Sequence, residues 1–139
     1  MIEEILVPLL LASTLGEIHG RTRVQKLVFL VQRQASMRNA KSSRFHFELY
    51  RYGPYSRELS TQLGNLLAKG YLRMDPETTV GGYTRYSYSL TPEGAALVKE
   101  MKEKRMLDEK LLQVISLVSN KYGSMKLPRL VGIAYKYFR

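Results

Sequence analysis

Residues 63–94 read LGNLLAKGYLRMDPETTVGGYTRYSYSLTPEG, and this stretch decides the fold. It changes from a helical to an alternating pattern within a few residues. Upstream, Ser56 can cap a helix that runs to about Lys69, with Leu59, Leu63, Leu66 and Leu67 as its buried stripe. Gly70 ends it as a C-terminal glycine does. Tyr71, Leu72 and Arg73 then begin a short strand, residues 75–82 form a turn-rich loop, and Tyr83–Leu90 alternates as a β-prone strand. The pair is a β-hairpin. Thr91 caps the next helix, Pro92 takes its first position and Glu93 favours its positive end.

Two helices are expected before this unit. The first spans residues 2–16, rich in Leu, with Pro8 either kinking it or moving its start to about residue 7. The second follows the break Gly20-Arg21-Thr22, with Thr22 as cap and Val24, Leu27, Val28 and Val31 at helical spacing. Its polar side holds Arg23, Lys26 and Arg33. Residues 38–44 read as a loop, Phe45–Tyr50 alternates as an extended segment, and Tyr52-Gly53-Pro54-Tyr55 is a turn. After the hairpin, one helix runs towards Met106, a second covers residues 107–119, and a short last one starts near Leu127. The expected fold is mainly α with a small β-hairpin. The order of elements is that of a winged helix-turn-helix, residues 1–106, followed by a C-terminal helical extension, residues 107–139.

Composition removes several functions. The chain has 139 residues, long enough for a core without staples, and no cysteine. Disulfides, cysteine-ligated zinc and a thiol nucleophile are therefore excluded. Two histidines, His19 and His46, are too few for a histidine metal cluster. There is no Gly-rich phosphate loop or His-Glu helix motif, and carboxylates are scattered, so neither an enzyme nor a cofactor is expected. The apolar run Ile5–Ala12 follows Glu3 and Glu4, where a signal peptide carries positive charge. It is also far short of the ~20 residues that span a membrane. A cytoplasmic protein without membrane contact is the expectation.

The net charge is +10, unevenly spread. Residues 21–73 hold eleven basic residues against Glu48 and Glu58, which accounts for +9. Concentrated positive charge suits a phosphate-facing surface. The helix from Ser56 is the candidate reader for a major groove. Its exposed side carries Arg57, Thr61, Gly64, Asn65 and Ala68. Arg57 can reach a phosphate or a guanine edge, Asn65 an adenine edge, and Thr61 offers a hydroxyl or a methyl, while Gly64 and Ala68 permit close approach. On the hairpin, Arg85 and Tyr83 are candidate backbone contacts, beside Tyr86 and Tyr88. Lys26 and Arg33 are candidate flanking contacts. Each set also has a plain structural reading: a solvated helix face, or cross-strand packing of tyrosines. Leu107, Leu111, Leu112, Ile115 and Val118 form a stripe that either pairs two copies or packs back on the first helix; a homodimer would match two DNA half-sites.

Two stretches resemble known families. Leu63–Gly94, with LGNLLAKGYL, a hairpin and YSYSLTPEG, resembles the wing region of PadR-type and MarR-type regulators. Gly20–Gly70, with GRTRVQKLVFLVQ and FHFELYRYGPYSRELSTQLGNLLAKGYL, is similar to the YwgA-like group of uncharacterised prokaryotic proteins. More distantly it is similar to the Panacea-type antitoxin-associated domain, which shares a K-L-x-x-L run and a Y-G-P turn. These resemblances imply a bacterial or archaeal origin. Residues 38–55, between the second helix and the reader, depart from a compact helix-turn-helix.

Three functions are open on the sequence. The first is a sequence-specific regulator of transcription bound to double-stranded DNA. The second is a protein-interaction module, an antitoxin or adaptor on the same scaffold. The third, RNA binding by the same basic face, has only the wing tyrosines as a stacking platform.

Overall fold

The structure is a computed structural model and describes residues 2–138. Its elements follow in order: α1 (Ile2–Leu15), β1 (Ile18–His19), α2 (Arg21–Met37), β2 (Glu48–Tyr50), β3 (Gly53–Tyr55), α3 (Arg57–Ala68), β4 (Leu72–Thr78), β5 (Thr84–Leu90), α4 (Pro92–Glu103), α5 (Glu109–Tyr122) and α6 (Leu127–Tyr137). The fold is thus mixed: helices with a three-stranded antiparallel sheet and a separate two-stranded hairpin.

The core is built on α1. Leu6 to Ala12 are all buried, because this helix is apolar on every side and is wrapped by neighbours. It runs unbroken through Pro8. The wrapping elements include α2, α3, α4, α5 and β5. The stripe on α5 turns inward: Leu111, Val114, Ile115 and Val118 are buried, and α5 packs on α1 and α2. Leu107 is buried in the same cluster. The surface expected to join two copies is therefore used inside one chain, and the stripe supplies no basis for a dimer. Residues 1–106 and 107–139 contribute to one contiguous hydrophobic cluster.

The three-stranded sheet has the order β1-β5-β4. β1 was not visible in the sequence, where Ile18 and His19 read as loop. Two residues are too few to show a period, and only their pairing with Tyr88 and Ser87 defines them. β4 is longer than its composition suggests and runs through Asp75-Pro76-Glu77 to Thr78, paired with Thr84. Proline is tolerated there because β4 is an edge strand. The turn shrinks to residues 79–83, closed by the Thr79 N–H donating to the Tyr83 carbonyl at 2.7 Å.

Helix starts follow local chemistry, with one exception besides α6, whose cap Lys126 makes no side-chain capping bond. Ser56 Oγ accepts from the Leu59 N–H at 3.1 Å, and Thr91 Oγ1 accepts from the Gly94 N–H at 3.0 Å. A Cβ on Gly94 would overlap the Tyr71 carbonyl, so the glycine of LTPEG lets α4 close onto the strand entrance. The exception is α2. Its cap is Gly20 rather than Thr22, and no side chain accepts from its first turn.

Residues 38–55 are held down by polar side chains of α2. Gln32 Oε1 accepts from the Phe45 N–H and the Ser43 hydroxyl, at 2.8 and 2.7 Å, and its Nε2 donates to the Phe45 carbonyl. About two turns earlier, Gln25 grips the two backbone groups of Ser56. Its Oε1 accepts from the Ser56 N–H at 2.8 Å and its Nε2 donates to the Ser56 carbonyl at 2.9 Å. Gln25 and Ser56 are fully buried. An unpaired buried polar group costs about 1–3 kcal/mol. Gln25→Leu would orphan the Ser56 N–H, while the Ser56 carbonyl keeps the Ser60 N–H at 3.1 Å, and we expect it to lower unfolding free energy by about 1–3 kcal/mol in urea denaturation. A loss below about 0.5 kcal/mol would mean that Ser56 finds other partners.

Candidate nucleic-acid interface

The exposed side of α3 is as the helical period requires. Leu59, Leu63 and Leu66 are buried, whereas Arg57, Thr61, Gly64, Asn65 and Ala68 face outward. Among the described residues, no hydrogen bond or ion pair occupies the side chains of Arg57 or Asn65. Nothing lies within 4 Å of where a Gly64 Cβ would be. The face can therefore meet a surface closely with its polar groups uncommitted.

The hairpin β4–β5 presents Tyr83 at its tip, 76% exposed. Arg85 is on β5, but its guanidinium is engaged: Nε donates to Glu77 Oε1 at 2.6 Å. The same carboxylate oxygen lies 2.9 Å from His19 Nδ1. These two hydrogen bonds, His19 first, hold the Glu77 carboxyl below its ordinary pKa. Arg85 remains half-exposed at the surface, and exposed pairs of this kind are weak.

Lys26 is not a surface contact. It is 1% exposed, and its Nζ donates to the Pro54 carbonyl at 2.9 Å. It looked polar-side because a lysine among Val24, Leu27 and Val28 is normally outward. Residues 53–55 instead cross over it. Gly53 has φ +92°, and a Cβ there would sit 3.2 Å from Lys26 Cε. Both the positive φ and the close passage require glycine; the turn itself is residues 51–52, and Gly53-Pro54-Tyr55, expected as part of it, is instead a strand paired with β2. Burial lowers the Lys26 ammonium to about pKa 8. Arg33, further along α2, is half-buried.

The sequence candidates are thus not one constellation. Arg57 lines a hollow with His46, Glu48, Tyr50, Tyr55 and Glu58. Arg85 is instead brought to the first turn of α2, where it lines a cavity with His19, Arg21, Arg23, Tyr86 and Tyr88. Arg21 and Arg23 escaped the sequence reading as site residues. The available signal was the pair of arginines around Thr22 after a glycine break. Arg23 Nη1 donates to the Met125 carbonyl at 2.6 Å, tying α2 to the α5–α6 turn. Burial, and then the nearby Arg85, depress its pKa. Arg21 is stabilised in its charged form by a hydrogen bond with Tyr88. Among the described residues no group of His, Asp and Glu could hold a metal ion, and no helix is long and apolar enough to cross a membrane.

No family profile matches the chain. It is similar to a protein of Bacillus subtilis (strain 168) described as Uncharacterized protein YwgA, with 40% identity over 86 residues. That match covers 62% of this chain and 48% of the relative, so the chain spans about half the length of the protein it matches.

Two outcomes follow from this geometry. Lys26 has a lower pKa folded than unfolded, so the unfolded chain holds more protons between about pH 8 and the ordinary lysine range. Stability contributed at this site therefore rises with pH through that window. Urea midpoints at pH 7 and pH 10 should show wild type gaining relative to Lys26→Met; no relative gain would mean the ammonium is well hydrated. Gly64→Ala should raise stability by about 0.5–1 kcal/mol in thermal unfolding, because the site is open and mid-helical.

Proposed function

We propose that the chain is a winged-helix protein that binds double-stranded DNA in the cytoplasm as a regulator of transcription. The observation that carries this reading is the order helix, strand, helix, helix, hairpin, interrupted before its third helix by the inserted β2–β3 hairpin, combined with the sheet order β1-β5-β4. In that arrangement α3 leads directly into the β4–β5 wing, as a reader helix does. Arg57, Thr61 and Asn65 stand free on its outer face, and the charge of the surrounding sequence is strongly positive. A major groove admits a helix of this kind, and Arg and Asn match guanine and adenine edges. Tyr83 and Arg85 would contact the backbone from the wing, and Arg33 would add charge along α2. Lys26 would act only through Pro54, by seating the segment before α3.

One observation favours a second reading, a protein-interaction module. The β2–β3 hairpin, inserted just before α3, exposes Leu49 and Tyr52 by more than half. Apolar side chains on a supported hairpin suit a protein partner.

The deciding experiment is fluorescence anisotropy with a labelled generic duplex at several salt concentrations. Log affinity against log salt has a slope of about −0.9 per phosphate neutralised. A slope of about −4 or steeper, with micromolar affinity near physiological salt, supports the regulator. No binding at low salt overturns it and leaves the protein partner. On a selected site, Arg57→Ala and Asn65→Ala should each weaken binding about five- to a hundredfold. Gly64→Ala should weaken it too, despite its greater stability. Unchanged affinity in all three would remove α3 as the reader.

A further inference from the structure

Two half-open cavities meet at Arg21 and Thr22. The one beside β5 has a volume of 330 Å³. The other, 270 Å³, lies between the start of α2 and the β2–β3 hairpin, and is lined by Lys26, Tyr50, Arg51, Tyr52 and Tyr55. Together they make one groove from the wing strand to the hairpin. Arg21 joins its halves, since it lines both cavities, with Tyr86 and Tyr88 in one and Tyr55 in the other.

The lining has a consistent chemistry. Four arginines, Arg21, Arg23, Arg51 and Arg85, line it together with tyrosines, and Lys26 lies beneath them with its ammonium on the Pro54 carbonyl. Among the described residues no carboxylate lines either cavity; Glu77 meets Arg85 from outside. Cations gathered in a hollow repel one another, and a bound anion relieves that repulsion. The Arg23 pKa is depressed first by burial and then by Arg85, the second of which reflects the same crowding. The rings are held for use rather than hidden. Tyr52, Tyr86 and Tyr50 are 57%, 41% and 38% exposed. The Arg51 guanidinium lies over the Tyr52 ring at 5.6 Å, and Tyr50 and Tyr55 meet at 5.3 Å. From α6, the Tyr135 hydroxyl lies 2.9 Å from the Tyr50 carbonyl and 3.1 Å from that of Arg51, so the hairpin tip is braced.

A duplex keeps its base faces stacked inside and offers a protein only edges and phosphates. Exposed tyrosine faces gain little from it. An unpaired strand offers both a phosphate chain and free base faces, which is what a cationic, ring-lined groove recognises. We propose that this groove is a binding site for a single strand of nucleic acid. Its phosphates lie along Arg21, Arg85 and Arg51, and its bases stack on Tyr52 and Tyr86. The site is separate from Thr61 and Asn65, which line neither cavity; it borders the hollow beside Arg57, with which it shares Tyr50 and Tyr55, and it shares Arg85 with the duplex reading above.

The test uses the full chain and a labelled oligothymidine of about 12 nucleotides, a length in the range of single-strand sites, beside the labelled duplex. Arg51→Glu and Tyr52→Ala alter exposed residues of the hairpin tip, and unchanged circular dichroism would verify their fold. Each should weaken oligothymidine binding about five- to tenfold or more and leave duplex binding within about twofold. Arg57→Ala should do the reverse. Oligothymidine binding with no duplex binding would remove the regulator and leave the groove assignment standing. No oligothymidine binding at low salt, or binding indifferent to both hairpin variants, would overturn the groove. So would equal loss of duplex and single strand, because the hairpin would then belong to the duplex interface.

Discussion

The buried grip of α2 on residues 53–56 is the constraint from which the functional surface follows. Gln25 takes both backbone groups of Ser56, and Lys26 takes the Pro54 carbonyl next to it. Ser56 in turn caps α3. One short polar contact thus sets where α3 starts, which way the β2–β3 hairpin points and what lies over the first half of α2. The contact is exacting because it is dry. A backbone amide or carbonyl in this position has no water to fall back on, so a shift of the segment leaves groups unpaired at a cost of kilocalories. Lys26 has the Pro54 carbonyl rather than a carboxylate as partner, and its lowered pKa records the cost of burying the ammonium there.

That grip separates two surfaces that composition had merged into one basic region. On one, the outer side of α3 carries uncommitted Arg57, Thr61 and Asn65 on a helix with an open glycine. On the other, the start of α2 gathers arginines from two distant parts of the chain, residues 21–23 and residue 85, with tyrosines from β5 and the inserted hairpin. The first has the features of edge reading in a groove. The second has those of a track for charge and stacked rings. Different physics governs them: hydrogen-bond geometry in the first, and a screened field with flat apolar faces in the second.

The C-terminal helices support α2 and the β2–β3 hairpin. α5 buries its stripe on α1 and α2, and α6 braces the hairpin through Tyr135. Arg23 ties α2 to the turn between α5 and α6. An apolar stripe on an amphipathic helix states only that something covers it. Here the cover is the chain's own α1 and α2, which are apolar enough to need covering themselves.

What the sequence determined by itself was local. The helices of residues 2–16 and 57–69, the Ser56 and Thr91 caps, the Gly70 stop and the hairpin before LTPEG were legible, because period, caps and turns are set by neighbours a few residues away. The outward side of α3 followed from the same period, so Arg57, Thr61 and Asn65 could be named in advance. What only the tertiary structure decided were the contacts between distant segments. The two-residue strand β1 exists only through its pairing with β5. Lys26 is inside because Gly53 and Pro54 cross it from nearly thirty residues away. Arg21, Arg23 and Arg85 share a cavity because β5 returns beside the start of α2. None of these leaves a periodic trace in the chain, since burial and charge clustering depend on which segments meet, and that is settled by the packing of the whole core.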